Sequence, residues 1–353
     1  MFLTKKYPLV TVAIPTHNRF RGLIRAVRSV QRQSYPRIEI LISDNDSSDE
    51  TARVCQSLAE DDSRIRLFRH SPDIGPLRNF AFLKAQNRGD FFMWLADDDW
   101  LEPDILARYV TFLMTHPDYV MVSGTVCYWD NEKIYLEERG FSFEQEKETA
   151  RIRAFFGKVS AGGVFHGLMR ADVISEIEVR NILGSDWAFI SDLLVHGKVK
   201  QFSFRAYNKN LIGLSNDFEG YAAKVGAGHL ARANPLLGLC WYAVKPIVTD
   251  ANVYGKFSYL GRLRLAFFCY FSLVRRIYFG RLVSEPRKFC RMFLRSVIKT
   301  FVPPVGISFA KRIRKSGVNL FFRRSSENRT VYPSDPSVGQ VFEPTSEVFR
   351  KGD

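Results

Sequence analysis

The sequence predicts an α/β fold: a mixed, mainly parallel sheet with helices on both faces, followed by a C-terminal helical extension. Three observations predict it. Between Leu9 and Trp100 the pattern alternates strand, helix, strand, helix, strand, helix, strand, as parallel sheets require. The strand candidates are short continuous apolar runs, suited to burial on both faces. Three polar breaks, Pro15–Arg19, Asp44–Asp49 and Asp97–Asp99, fall where those runs end. Ligands of such sheets bind beyond the carboxyl ends of the strands.

Each element follows from local chemistry. Leu9–Pro15 is an apolar run closed by proline. Gly22–Gln33 has helical spacing, with Leu23, Ala26, Val27 and Val30 on one face, and Tyr35-Pro36 ends it. Ile38–Ile42 is the second strand, and Ser48 or Asp49 is placed to cap the helix running to Ala59. Ile65–Phe68 is the third strand. Ile74-Gly75-Pro76 turns into a helix over Leu77–Asn87. Phe91–Leu95 is the fourth strand, and three consecutive carboxylates follow it. Adjacent anions repel one another and belong at an open strand end, where a divalent cation would neutralise them. Sulfur-free oxygen ligands suit Mg²⁺ or Mn²⁺. Tyr119–Gly124 is a further strand. Trp129–Ala150 reads as an irregular, charged excursion, and Ser160–Arg170 as a glycine-rich segment. Gly184–Phe189 opens an apolar helix.

Composition bounds the rest. The chain has 353 residues, 46% hydrophobic and 14% aromatic, and a net charge of +14. Eighteen basic and two acidic residues lie between Gly255 and Thr330, so the cationic character is concentrated at the back. Five cysteines, none at CxxC spacing, argue against a disulfide framework or a zinc site. Neither GxGxxG nor GxxxxGK[ST] occurs, so no dinucleotide fingerprint or P-loop is supported. Met1–Val10 lacks the long apolar core of a signal peptide, and the apolar run Leu265–Val274 falls short of the roughly 20 residues a spanning helix needs.

In order and spacing, Val12–Arg19, Ser43–Asp49 and Asp97-Asp98-Asp99-Trp100 resemble the successive signatures of the family-two inverting glycosyltransferases. The resemblance covers Leu9 to Phe204. It implies a GT-A-type, Rossmann-like fold, a nucleoside-diphosphate-sugar donor and a divalent metal. Asp44 or Asn45 would then hydrogen-bond the base, in a pocket lined by Pro15 and His17. The chain has Asp44-Asn45 where the family commonly has two aspartates. Arg78 would approach the diphosphate, for which a guanidinium offers a matching fork. Asp97 to Asp99 resemble the DXD motif, with Ala96 standing where that motif often begins. Asp98, with Asp97 and Asp99 beside it, is the expected donor and metal contact. Asp186 resembles the catalytic base, with Asp192 as the fallback. His166 faces the donor sugar or sits as a satisfied core histidine.

Behind this region, the expected domains are 1–207, catalytic; 208–324, basic and helical; and 325–353, polar and disordered. Over Pro286–Val302, Phe289, Phe293, Leu294, Val297, Ile298 and Phe301 fall in one helical sector, and Lys288, Arg291, Arg295 and Lys299 in another. Lys311–Lys315 extends the basic surface. This is the form of an interfacial helix on an anionic membrane. The expected enzyme is therefore peripheral on the cytoplasmic face of the membrane. It transfers a sugar to a glycan or lipid-linked acceptor in bacterial surface polysaccharide assembly. Two alternatives are a nucleotidyltransferase and a nucleic-acid-binding protein. The first loop lacks the glycines of the former. The tail's apolar runs suit lipid better than the phosphodiester of the latter.

Overall fold

The computed structural model describes residues 7–130, 132–159, 163–211, 228, 231 and 234–279. Expectations for 160–162, 286–302, 311–315 and 325–353 lie outside the described residues.

Strand β1 (Val10–Thr16) is buried along its whole length and pairs in parallel with β2 (Ile38–Asn45) and β4 (Phe91–Trp94). β2 pairs in parallel with β3 (Ile65–His70). Helices α1 (Phe20–Gln31), α2 (Thr51–Asp61) and α3 (Pro76–Ala85) connect them. The buried face of α1 is Leu23, Ala26, Val27 and Val30, the set its spacing predicts.

After the acidic turn come β5 (Trp100–Leu101), α4 (Ile105–Thr115) and the long β6 (Tyr119–Asp130). The excursion expected at Trp129–Ala150 is instead largely regular. β7 (Lys133–Glu138) folds back antiparallel on β6, and α5 (Glu148–Lys158) follows. The charges of β7 are those of an outer strand whose Tyr135 and Leu136 are exposed. A 3-10 turn (Gly163–His166), β8 (Leu168–Arg170), α6 (Ala171–Ser175), α7 (Ser185–His196) and β9 (Lys198–Asn210) complete the sheet.

The strand order is β3-β2-β1-β4-β8-β6-β9-β5, with β7 beside β6. The longest ladders, β1 with β2 and β6 with β9, are parallel; β4–β8, β6–β8 and β5–β9 are antiparallel. The sheet is thus mixed and mainly parallel.

Helices α8 (Pro235–Thr249), α9 (Ala251–Tyr254) and α10 (Tyr259–Val274) continue the chain. α8 packs on α7, and α10 on α5 and α8. The chain divides into compact units Met1–Val274 and Arg275–Asp353. Residue 207, the expected domain boundary, falls inside β9. Of the second unit, the described part is a π-helical turn, Arg275–Phe279.

Candidate active site

The ends of β1, β2 and β4 meet, as the positions of the polar breaks predict. Asp97 is 5% exposed and accepts a hydrogen bond from the Thr16 hydroxyl at 2.8 Å. The Arg19 guanidinium reaches both neighbouring carboxylates, 2.7 Å from Asp98 and 3.3 Å from Asp97. Burial pushes the Asp97 carboxyl up to about 6, against the pull of Arg19. Gly22 lets the first turn of α1 approach this turn closely: a Cβ there would lie 2.5 Å from the Asp97 carbonyl oxygen. Arg25, one turn on, donates to the Asp98 carbonyl and lies 3.9 Å from the centroid of the Trp100 ring.

The β1 and β2 ends are tied together. His17 Nδ1 lies 2.7 Å from the Asn45 carbonyl, so this nitrogen carries the proton, and Nε2 accepts from Asn18 at 3.0 Å. Pro15 is buried and lies in register with Ser43. Asp44 is 1% exposed, accepts from the Ser47 N–H and has Arg69 3.4 Å from its other oxygen. Both ends of the Asn45 amide are occupied: it donates to Asp73 and accepts from the Ile74 N–H. In this state Asn45 shapes the loop entering α3 rather than presenting its amide to solvent. Arg78 is exposed on α3 and engages no partner among the described residues.

Asp99 is held from the β9 side. One oxygen accepts from the Asn210 N–H at 3.0 Å; the other is buried without a hydrogen-bond partner among the described residues. Burial pushes its carboxyl up to about 7, partly opposed by Lys209. Among the described residues no three His, Cys, Asp or Glu side chains form a metal cage. An orphaned carboxylate oxygen beside a partly exposed Asp98 nevertheless fits a hard cation of the magnesium type. Such an ion commonly takes one or two carboxylates and completes its shell with water and phosphate.

Sequence reasoning missed the group that links Asp99 to Asp186. Lys209, on β9, lies 3.0 Å from His166 Nε2, and its charge acts on Asp99, Asp186 and Glu138. Tyr128, on β6, donates to Glu138 at 2.7 Å and feels both Asp99 and Asp186. Asp186 stands in the first turn of α7, after Gly184 at φ 74°, with its carboxyl raised by burial. Thus Lys209 acts electrostatically on carboxylates carried by the acidic turn, β7 and α7.

His166 is not a satisfied core histidine. It stacks on Tyr207 at 4.3 Å, and its Nδ1 is buried without a partner among the described residues. Burial and Lys209 hold its pKa well below the ordinary histidine value, so it is neutral. Asp192, the fallback base, is a structural group. It is fully buried, accepts from Arg180 and takes the Tyr254 hydroxyl at 2.9 Å. Arg180 also donates to Asp250, which caps α9.

The chain is similar to known proteins. Residues 11–177 match the model of the family described as Glycosyl transferase family 2. Over 170 residues the chain is 30% identical to the GalNAc(5)-diNAcBac-PP-undecaprenol beta-1,3-glucosyltransferase of Campylobacter jejuni, covering 47% of this chain and 53% of that one. It is 34% identical over 101 residues to the chondroitin synthase of Escherichia coli, covering 28% of this chain and 14% of that one. The chain spans about half the length of the first curated relatives it matches. Among solved structures it is similar to S. aureus TarS 1-349, with a TM-score of 0.55 at 12% identity, covering 82% of this chain and 80% of that one. TarS 1-349 in complex with UDP-GlcNAc gives the same TM-score. At that identity the likeness concerns the fold.

Proposed function

We propose, from the match of residues 11–177 to glycosyl transferase family 2, that the protein moves a sugar from a nucleoside-diphosphate sugar to an acceptor hydroxyl, with inversion. The observation that carries this reading is the gathering of the acidic turn at the ends of β1, β2 and β4, where Arg19 bridges Asp97 and Asp98 and the Asn210 N–H holds Asp99. Pro15, His17, Asp44, Asn45 and Arg78 line the donor side, with Asp97 and Asp98 beneath the diphosphate. Asp98 and Asp99 would hold Mg²⁺ or Mn²⁺. When bound, the ion offsets the charge that develops on the departing diphosphate.

Asp186 takes the acceptor proton. The acceptor oxygen forms its bond to the anomeric carbon as the bond from that carbon to the diphosphate breaks, and the electron pair leaves on the phosphate oxygen. One displacement from the opposite face inverts the centre. Burial raises the Asp186 carboxyl toward working pH, which suits a general base. Arg19 is poised to exchange its carboxylate partners for phosphate oxygens.

The acceptor in this reading is a glycan or lipid-linked saccharide in bacterial polysaccharide assembly. The match to an enzyme whose name specifies an undecaprenol-linked glycan supports it. The enzyme would then work at the cytoplasmic face of the membrane, with the basic region 208–324 associating with lipid. A donor screen with Mn²⁺, read as nucleoside-diphosphate release, tests the activity. Asp186→Asn should abolish turnover and leave donor affinity intact, whereas Asp98→Ala should weaken donor binding as well. Release of pyrophosphate, or full turnover in either variant, would overturn the assignment.

A further inference from the structure

The outer side of α10 breaks the rule the other helices follow. One side buries Leu265, Ala266, Cys269 and Leu273 against α5 and α8. The opposite side is apolar too: Leu260 is 56% exposed, Leu263 39%, Phe267 66% and Phe271 52%. These four recur at three- and four-residue spacing, so they form one stripe. A helix apolar on both sides is normally enclosed by protein or lipid. The Phe267 and Phe271 rings meet at 4.4 Å, tilted by 48°, and Phe271 adjoins Tyr270, which touches the half-exposed Trp241 of α8. The patch is therefore continuous across two helices, and contiguous exposed apolar surface of this kind marks a contact surface.

We propose that this face of α10 docks on an anionic lipid bilayer. Charge decides the occupant. From Ala251 to Ser284 the sequence holds six basic residues and no acidic one. Arg264 is exposed on α10 itself, and Arg153 of α5 caps the Phe268 ring at 4.1 Å. A second copy packed on the same stripe would set arginine against arginine with no carboxylate between them. Residues 280–324, with twelve basic and one acidic residue, are themselves cationic and meet the same repulsion. A bilayer with anionic headgroups matches both components: aromatics and leucines enter the headgroup boundary while arginines extend to phosphate. No described helix is long and apolar enough to cross a membrane, and one side of α10 is already buried against α5 and α8, so the helix would lie in the plane. Docking through the stripe would hold the catalytic domain against the surface that carries a lipid-linked acceptor.

This inference rests on the membrane reading above but moves it from the tail to α10. The experiment is co-sedimentation of the full-length protein with vesicles of phosphatidylglycerol and phosphatidylethanolamine, with phosphatidylcholine vesicles as the neutral control. The triple variant Leu263→Gln, Phe267→Gln, Phe271→Gln changes no charge and replaces only exposed side chains. Circular dichroism checks its fold, and Phe267→Gln alone serves as the milder variant. The expected result is at least a tenfold fall in partitioning for the triple variant and a smaller fall for Phe267→Gln. A tail variant, Arg291→Gln with Arg295→Gln, should keep most of the binding. If the triple variant binds as the parent does while the tail variant loses binding, the α10 surface is overturned and the membrane reading stands. Failure of the parent protein to bind anionic vesicles overturns both. A concentration-dependent dimer that the triple variant abolishes, without vesicle binding, overturns the lipid assignment in favour of a second copy. Nucleoside-diphosphate release with a soluble acceptor should be unchanged in the triple variant, so the activity is judged separately.

Discussion

Gly22→Ala sets two magnitudes of opposite sign against each other. Gly22 lies in the first turn of α1. Helix propensity alone favours alanine over glycine by about 0.8–1 kcal/mol. The new Cβ, however, would sit 2.5 Å from the Asp97 carbonyl oxygen and 3.1 Å from the Asp98 Cα. Both are backbone atoms and cannot swing aside. Opening the first contact to ordinary van der Waals distance means moving α1 or the turn by about 0.9 Å, and overpacking of this kind costs about 1–3 kcal/mol. The clash should win, with a net loss on the order of 1 kcal/mol. The larger effect falls on function, because the displaced segment carries Asp97 to Asp99 and the Arg25 contact to Asp98. A misplacement of about 1 Å can cost on the order of 100-fold in kcat/KM. Thermal unfolding and donor-dependent kinetics measure the two consequences. Gly157→Ala in α5 is the control, since its Cβ would meet nothing within 4 Å; it should be neutral or stabilising. A raised Tm with unchanged kcat/KM in Gly22→Ala would refute the claim that α1 braces the acidic turn.

Three further predictions concern buried charge. Arg180→Leu strands Asp192, which is fully buried, and should cost about 3–5 kcal/mol at pH 8 in urea unfolding. Burial already raises the Asp192 carboxyl to about 6, and loss of Arg180 raises it further, so the deficit should shrink toward pH 5 as Asp192 takes up a proton. The double variant with Asp192→Leu should recover most of the loss; no recovery would mean that Arg180 acts through something other than charge. Asp99 is also raised, to about 7, so its contribution to stability is complete below about pH 4 and is lost as pH rises to 7. About three pH units set an upper bound of ~4 kcal/mol. In EDTA, Asp99→Asn should flatten that slope, and parallel stability curves would refute the assignment. Lys209→Met removes the cation that holds the Asp186 carboxyl down, so the acid limb of the kcat/KM profile should move to higher pH, and Lys209→Arg should restore it. An unmoved limb would separate Lys209 from the base.

What could be read in the sequence divides along a physical line. β1, β2 and β4 are buried along their length, so each is dominated by apolar residues, with the buried Glu39 of β2 paired to Thr11 and Arg66, and each end is visible because a buried strand cannot hold consecutive charges. β9 gives no such signal. KVKQFSFRAYNKN mixes charge, amide and aromatic residues because most of the strand is half-exposed and only Ala206 to Asn208 are buried in succession. Lys209 was invisible for the same reason, and its neighbours Tyr128, Glu138 and His166 come from segments that only the β6–β9 and β6–β7 registers bring together. Arg19 shows the limit from the other side. It is a plain loop arginine until Asp97 and Asp98, far along the chain, are folded onto it. Asp192 illustrates the converse: a carboxylate at a plausible place in the sequence is excluded from chemistry by Arg180 and Tyr254, two partners that no spacing rule relates to it. Groups that act along one strand or one helical turn are therefore legible in one dimension. The contacts of β9 with Asp99 and His166, through Asn210 and Lys209, depend on strand register, and register is set by the whole sheet.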